Sequence, residues 1–264
     1  MNVVQRARTP AEVYDEMFVP ALFQRWGPII ADVAGIGSGD TVLDVACGTG
    51  VLACAALDRV GPRGTVVGLD PNADMLAVAR RNTPRVEWRE GRAESLPFPD
   101  GSFDAVVSQF GLMFFDDRPA ALREMMRVLR PGGRMAVAVC DAVDHSPGYA
   151  ALADLLQRLF GKPTADAFRA PFVLGDPERL LAICATAGIM DAKVARHAGS
   201  VRFASVKALI STERACVWTL GGMLEDAQFS ELLQEAERAF QPFVAGDGAI
   251  TFEMPALVIT ASKA

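Results

Sequence analysis

Two carboxylates and a pair of glycines stand in an order that can hold a charged nucleoside. Asp44 lies inside an apolar run four residues before Gly48, Gly48-Thr49-Gly50 follows, and Asp70 closes a second apolar run further on. Gly48 and Gly50 permit a tight turn and close approach of backbone to a ligand, and a helix starting behind them offers free N–H groups. A carboxylate in the place of Asp70 can accept hydrogen bonds from both hydroxyls of a ribose, and Asp44 can face a cationic amine. Alone, the Gly-x-Gly-x-x-Ala spacing of Gly48, Gly50 and Ala53 also describes a dinucleotide site or an ordinary turn. The chain has only two histidines. His145, in Asp141-Ala-Val-Asp-His145, follows an apolar run at the mouth where a substrate should arrive. As a neutral imidazole it could take a proton from a phenol or hydroxyl nucleophile, the competing reading being a solvated loop histidine. His197 reads as structural and Cys47 as a small loop residue. Tyr14, in the leading helix, could fold over a bound ligand or pack in the core, and the aromatic run Phe110 to Phe115 and Trp218 could line an apolar acceptor pocket or simply fill the core.

Such residues need a frame, and the pattern supplies one. Thr41 to Ala46, Thr65 to Asp70, Val86 to Arg89, Phe103 to Ser108 and Arg134 to Cys140 are β-rich runs. Helical spacing separates them over Val51 to Val60, over Asn72 to Asn82, and after Asp117, which can cap a helix carrying Pro119 in its first turn. Arg130-Pro-Gly-Gly133 reads as a stop before the fifth strand. Strands alternating with helices imply right-handed crossovers and a doubly wound, mostly parallel sheet in an α/β fold. Before this core, Pro10 to Ala34 is helical, with Pro20 and Pro28 expected to split it. After residue 141 come helices at about 147–190, a strand from Ala192 to Phe203, helices at about 205–241 and a final strand from Ala249 to Ser262. The expected organisation is a single domain over 1–264: N-terminal helices at 1–36, a cofactor-binding core at 40–140, and helical cap insertions at 142–190 and 205–241.

Composition narrows the function classes. Over 264 residues, 51% are hydrophobic and 22% charged, which excludes a disordered chain. Lys and Arg total 26 against 32 acidic residues, a net charge of −6 that argues against a nucleic-acid partner. The longest uncharged stretch, Val45 to Leu57, is too short for a bilayer span, so no membrane span is expected. The five cysteines are widely spaced without a Cys-x-x-Cys pair, which points away from structural zinc, with no metal expected, and towards a reducing cytoplasm.

Two further blocks move the reading from dinucleotides to another nucleoside. Gly91-Arg-Ala-Glu-Ser-Leu-Pro-Phe-Pro-Asp-Gly-Ser-Phe-Asp104 leads into the fourth strand, and Leu122-Arg-Glu-Met-Met-Arg-Val-Leu-Arg-Pro-Gly-Gly133 leads into the fifth. With these in order, the chain resembles the class I S-adenosylmethionine-dependent methyltransferases over about residues 40–140, and most nearly the branch holding ubiquinone/menaquinone C-methyltransferases and many small-molecule methyltransferases. The resemblance implies a Rossmann-like, seven-stranded sheet with its last strand antiparallel and S-adenosyl-L-methionine as cofactor, leaving S-adenosyl-L-homocysteine. It implies that Asp44, Ala46, Gly48 and Gly50 hold the methionine moiety, with Cys47 also among the cofactor-binding residues. Asp70 would bind the ribose, with Pro71 and Met75 near the adenine and Ala93 and Glu94 at its edge. Ser108, Gln109 and Phe110 would lie near the sulfonium and the substrate. Where the family often has an acidic residue before Ala-Glu to accept from the adenine amino group, this chain has Arg92, a donor-only guanidinium.

The expected reaction is methyl transfer to O, C or N of a small, fairly apolar acceptor, by a monomer or homodimer. In-line displacement needs alignment and exclusion of water more than it needs reactive side chains, so no triad is required. His145 is the one candidate general base read from the sequence. Two alternatives stand beside it. One is a non-catalytic S-adenosylmethionine-binding protein on the same scaffold. The other is an NAD(P)-dependent oxidoreductase, against which Tyr14 and Tyr149 both lack a lysine four residues on.

Overall fold

The computed structural model describes residues 8–216 and 219–264. Trp218, one of the candidate pocket residues, lies outside them.

Among the described residues, seven strands form one sheet in the order β3-β2-β1-β4-β5-β9-β6. They are β1 (Thr41–Val45), β2 (Thr65–Asp70), β3 (Glu87–Glu90), β4 (Phe103–Gln109), β5 (Leu129–Cys140), β6 (Lys193–His197) and β9 (Ala256–Ser262). β1 pairs in parallel with β2 and β4, whereas β9 runs antiparallel to both neighbours, β5 and β6. Val42, Leu43 and Val45 of β1 and Ala105, Val106 and Val107 of β4 have no exposed surface. Burial of both sheet faces accounts for strands that read as nearly continuous apolar runs.

The crossover helices begin where the sequence supplies caps. Gly50, at φ 93°, opens α3 (Val51–Val60) in a left-handed conformation suited to glycine. The Asn72 side chain accepts from the Asp74 and Met75 amides to start α4 (Ala73–Asn82), and Asp117 accepts from the Ala120 amide to start α5 (Arg118–Val128). Gly50 and Gly68 are also required by one tryptophan. A Cβ at Gly68 would sit 2.3 Å from the Trp88 ring and one at Gly50 2.5 Å from it, so the indole lies flat over β2 and the glycine loop. Its Nε1 donates to the Thr83 carbonyl at 3.0 Å.

The N-terminal region departs from its expected form. Pro20 does not break the helix there. Following α1 (Pro10–Val13), Tyr14–Phe23 winds as a π-helix with Pro20 inside it, closed by the Gln24 amide donating to Val19 at 2.8 Å. The wider turn re-pairs the backbone around the residue that lacks an N–H. Pro28 falls in the first turn of α2 (Trp26–Val33), where no intrahelical donor is needed, and it does not split that helix either.

α5 ends at Val128, just before Arg130-Pro-Gly-Gly133, as the expected stop requires, but the fifth strand starts earlier than Arg134. β5 already pairs Leu129 with Phe103, then re-registers Arg134 with Ala105, so these residues bulge out of a continuing strand, with Gly132 at φ 75°. Both long terminal strands are in fact broken. β6 is followed by β7 (Ser200–Phe203), and β8 (Ile250–Glu253) precedes β9; β7 and β8 leave the main sheet and pair with each other. The break falls at Gly199, where a Cβ would lie 2.2 Å from Trp26 and 2.3 Å from the Met254 carbonyl.

The remaining helices are α6 (Pro147–Phe160), α7 (Lys162–Arg169), α8 (Pro177–Thr186), α9 (Val206–Ala215) and α10 (Asp226–Ala239). α8 packs against α5 and β6 beside the sheet, whereas α6, α7 and α9 stand over the carboxyl ends of the strands. A contiguous apolar cluster extends from Phe18 to Ala261, joining sheet, crossovers and cover.

Candidate functional site

β1, β2 and β4 end side by side, and the backbone is strained where they do. Ala46, at φ 57°, and Phe110, at φ 55°, are non-glycine residues in the left-handed region, each just past the end of its strand. Such conformations cost on the order of 1–2 kcal/mol and gather at functional sites. Gly111 permits the arrangement, since a Cβ there would lie 2.7 Å from the Ala46 methyl and 3.0 Å from Ser108 Oγ.

Asp70 ties two loops together. One oxygen accepts from the Gly48 amide at 2.9 Å and the other from the Asn72 amide at 2.8 Å. Burial raises its pKa while these two N–H groups work the other way. Behind the glycine loop, Asp44 is 1% exposed, and neither of its carboxylate oxygens has a hydrogen-bond partner. Burial pushes its pKa well up, the Ala53 amide opposes this without closing a hydrogen bond, and the negative Asp70 adds to the rise. Burial and the same two carboxylates also push the Cys47 thiol up, away from thiolate chemistry.

A cavity of about 340 Å³ opens above these strand ends. Of the residues expected to bind cofactor, Ala46, Gly48, Asp70, Pro71, Met75, Ala93, Glu94, Gln109 and Phe110 line it. Asp44, Cys47, Gly50 and Ser108 are not in its wall. Ser108 is fully buried with its hydroxyl unpartnered. Arg92 lines the cavity but is paired with Glu94 at 3.4 Å and with Asp116, and Glu94 also accepts from the Asp116 amide at 3.0 Å.

The π-helix roofs one side. Tyr14 and Phe23 stack with centroids 5.4 Å apart, and Phe23 reaches Phe110 at 5.5 Å. Gln109 Nε2 donates to the Phe23 carbonyl at 3.1 Å, pinning this roof to the end of β4. Tyr14 is thus part of the site as well as of the core, and burial raises its hydroxyl pKa.

The same cavity is also lined by residues that the sequence did not disclose: Cys140, Tyr149, Phe168, Phe172, Glu213 and Thr219. Glu213 is 2% exposed, and Thr219 Oγ1 lies 2.9 Å from its carboxylate. Burial pushes its pKa up to about 7, opposed by Thr219 and Tyr149. The signal was available: Val206, Leu209, Ile210 and Glu213 share one buried face of α9, and a carboxylate on an apolar stripe is out of place. Asn72, whose wall position was also missed, is concealed by its capping role.

His145 is not brought to the cavity. It is half-exposed, with Nδ1 2.9 Å from Asp141, whose other oxygen is paired with Arg196. Burial acts against ionisation of Asp141, yet the hydrogen bonds from His145, Arg196 and the Ala142 amide hold its carboxyl below the ordinary value. His197 is in β6, paired opposite Ala256. No helix among the described residues is long and apolar enough to cross a membrane.

Residues 43–137 match a family model described as a methyltransferase domain. A ubiquinone/menaquinone C-methyltransferase of Hahella chejuensis is 42% identical over 132 residues, covering 48% of this chain and 53% of that protein. The Escherichia coli counterpart is 39% identical over 142 residues, covering 52% and 57%. The chain thus spans little more than half the length of these relatives. Among solved structures, the YcgJ protein of Bacillus subtilis superposes with a TM-score of 0.60 at 21% identity, covering 90% of this chain and 98% of that one. The [4+2]-cyclase SpnF gives 0.55 at 22% identity, over 91% and 80%. A Haemonchus contortus N-methyltransferase in complex with S-adenosylhomocysteine gives 0.57 at 17% identity, over 98% and 61%. These likenesses establish the methyltransferase fold.

Proposed function

We propose that this chain, whose residues 43–137 match a methyltransferase-domain model, is a class I S-adenosylmethionine-dependent methyltransferase that transfers a methyl group from that cofactor to a small, largely apolar acceptor. The observation that carries the reading is the Asp44 carboxylate, buried without a partner behind Gly48 and Gly50. A buried charge without a partner is costly, and the complementary ligand group is a cation such as an α-ammonium. The wall of the neighbouring cavity fits the same ligand. Asp70 keeps lone pairs beyond those used by Gly48 and Asn72, enough to accept from ribose hydroxyls. Pro71, Met75 and Ala93 offer apolar surface to a base. Relatives named as C-methyltransferases over the same half of the chain support the donor and the reaction class.

When bound, the sulfonium cofactor supplies an electrophilic methyl group. The chain's own contribution is placement. Asp44, the glycine-loop amides and Asp70 fix the donor at the ends of β1 and β2. Phe23 and Phe110, held by Gln109, wall the region where the acceptor approaches. The aromatic roof excludes water, so the transferred positive charge is screened less and the reacting atoms stay aligned. No general base is assigned to His145 in this reading, because it stands outside the cavity.

Titration of the full chain with S-adenosylhomocysteine in a calorimeter tests the proposal. Saturable binding at a one-to-one ratio is expected, and its absence would refute it. Competition with NADH should leave that binding unchanged.

A further inference from the structure

The part of the cavity wall drawn from α6, α7 and α9 combines aromatic side chains with a few polar groups. Phe168 and Phe172 lie 6.3 Å apart at their centroids and Tyr149 contacts both, at 5.8 and 5.6 Å. Within this shell, Glu213 is 2% exposed and so is Tyr149. The Tyr149 hydroxyl lies beside the Glu213 carboxylate without closing a hydrogen bond to it or to any other group. A buried phenol hydroxyl left without a partner costs about 1–3 kcal/mol, so the arrangement asks for a ligand. The ligand's form follows from the pair: one group that must donate and one that must accept. A hydroxyl does both, receiving from Tyr149 and donating to Glu213. An ammonium only donates, and would leave the Tyr149 proton unused.

We propose that Tyr149, Glu213 and Thr219 form the recognition end of the acceptor site, where an O–H on an otherwise apolar, aromatic-sized acceptor donates to Glu213 and passes its proton to that carboxylate. The inference rests on the methyl-transfer reading. In the step, the acceptor O–H bond breaks, its electron pair stays on the acceptor oxygen, and the proton forms a new O–H bond on Glu213. The negative charge so created is available at that oxygen or at a conjugated ring carbon, wherever the methyl is received. Thr219 holds the carboxylate in place through the 2.9 Å contact to its hydroxyl. The titratable groups that interact with Glu213 are Tyr149 from α6 and Cys140 from the end of β5, both held neutral by burial. Burial therefore governs the Glu213 proton, and its pKa of about 7 suits exchange near neutrality.

Naphthol, its methyl ether and naphthylmethylamine are suitable probes, bound to the full chain and followed by naphthalene fluorescence with and without saturating S-adenosylhomocysteine. Naphthol should bind about ten- to a hundredfold more tightly than the ether, the worth of a hydrogen bond to a charged group. Glu213→Gln should remove most of that preference while leaving ether binding unchanged, and Tyr149→Phe should remove a smaller part. In the wild-type chain, naphthol affinity should fall from about pH 8 to about pH 6 as Glu213 gains its proton, with the ether unaffected. Equal binding of naphthol and ether, no binding of either, or tighter binding of the amine would each overturn the proposal, as would an unchanged preference in folded Glu213→Gln. Loss of S-adenosylhomocysteine binding with the naphthol preference intact would instead refute the methyl-transfer reading alone.

Discussion

Asp44→Asn should make the ligand-free protein more stable and its nucleoside complex weaker. Without ligand the carboxylate is 1% exposed and has no hydrogen-bond partner. Protonating a carboxyl of ordinary pKa 3.8 at neutral pH costs about 4 kcal/mol, which caps what the folded state loses by keeping Asp44 there. The sign follows from the raised folded pKa. The contribution to stability is full below the ordinary carboxylate value and is lost as pH rises towards the raised one. Asparagine has no such loss, although its own unmet hydrogen bonds return part of the gain. A net stabilisation of about 1–3 kcal/mol is expected, a rise in Tm of several degrees for a domain of this size. It should be larger at about pH 8 than at about pH 5, because the wild-type chain carries the proton more fully in acid. For the complex, removal of one charge-assisted hydrogen bond weakens S-adenosylhomocysteine binding about ten- to a hundredfold. Thermal melts of the ligand-free proteins at both pH values and calorimetric titration measure the two effects. A less stable ligand-free variant, or an unaltered Kd, would refute the reasoning.

Asp70→Ala removes an acceptor from both the Gly48 and Asn72 amides, so it should lower S-adenosylhomocysteine affinity by about a hundredfold and stability by about 1–3 kcal/mol. Calorimetry and urea titration check this, and an unchanged Kd would remove Asp70 from the ribose site. Gly111→Ala drives a methyl to 2.7 Å from Ala46 and 3.0 Å from Ser108 Oγ, and should cost about 1–3 kcal/mol in urea unfolding. An unchanged midpoint would mean that the strand ends are not tightly interlocked. His145→Ala should leave the pH profile of methyl transfer unmoved and cost at most about 1 kcal/mol, since the histidine is half-exposed and Asp141 keeps Arg196. A displaced profile would restore the role of general base to His145.

The cofactor half of the chain was legible because local signals and the fold agree there. β1, β2 and β4 are apolar on both faces, and Gly50, Asn72 and Asp117 announce helix starts through their own backbone chemistry. The failures share a different cause: each needed a distant partner. The π-helix around Pro20 is held by Gln109 and the aromatic roof, 86 residues away in the case of the Phe23 carbonyl. The break at Gly199 depends on Trp26 and Met254, neither of which is near it in sequence. The Arg130–Gly133 bulge exists because β4 offers pairing on both sides of it. His145 stands after a strand end, where a base could act, and still lies outside the cavity, while Glu213, out of place on the apolar stripe of α9, lines it. Local patterns report which residues can do chemistry, and only packing decides which of them meet.

The insertion of β9 between β5 and β6 has a bearing on how the chain reaches this state during synthesis. Residues up to Cys140 contain every strand of the parallel half, yet that nascent half carries an open β5 border of Met135 to Val139, apolar and free to template a neighbouring polypeptide. Its true mate emerges more than a hundred residues afterwards, at Ala256. A ribosome-bound intermediate should therefore depend on chaperone shielding, and expression of the isolated parallel half should yield inclusion bodies unless that border is given lysines.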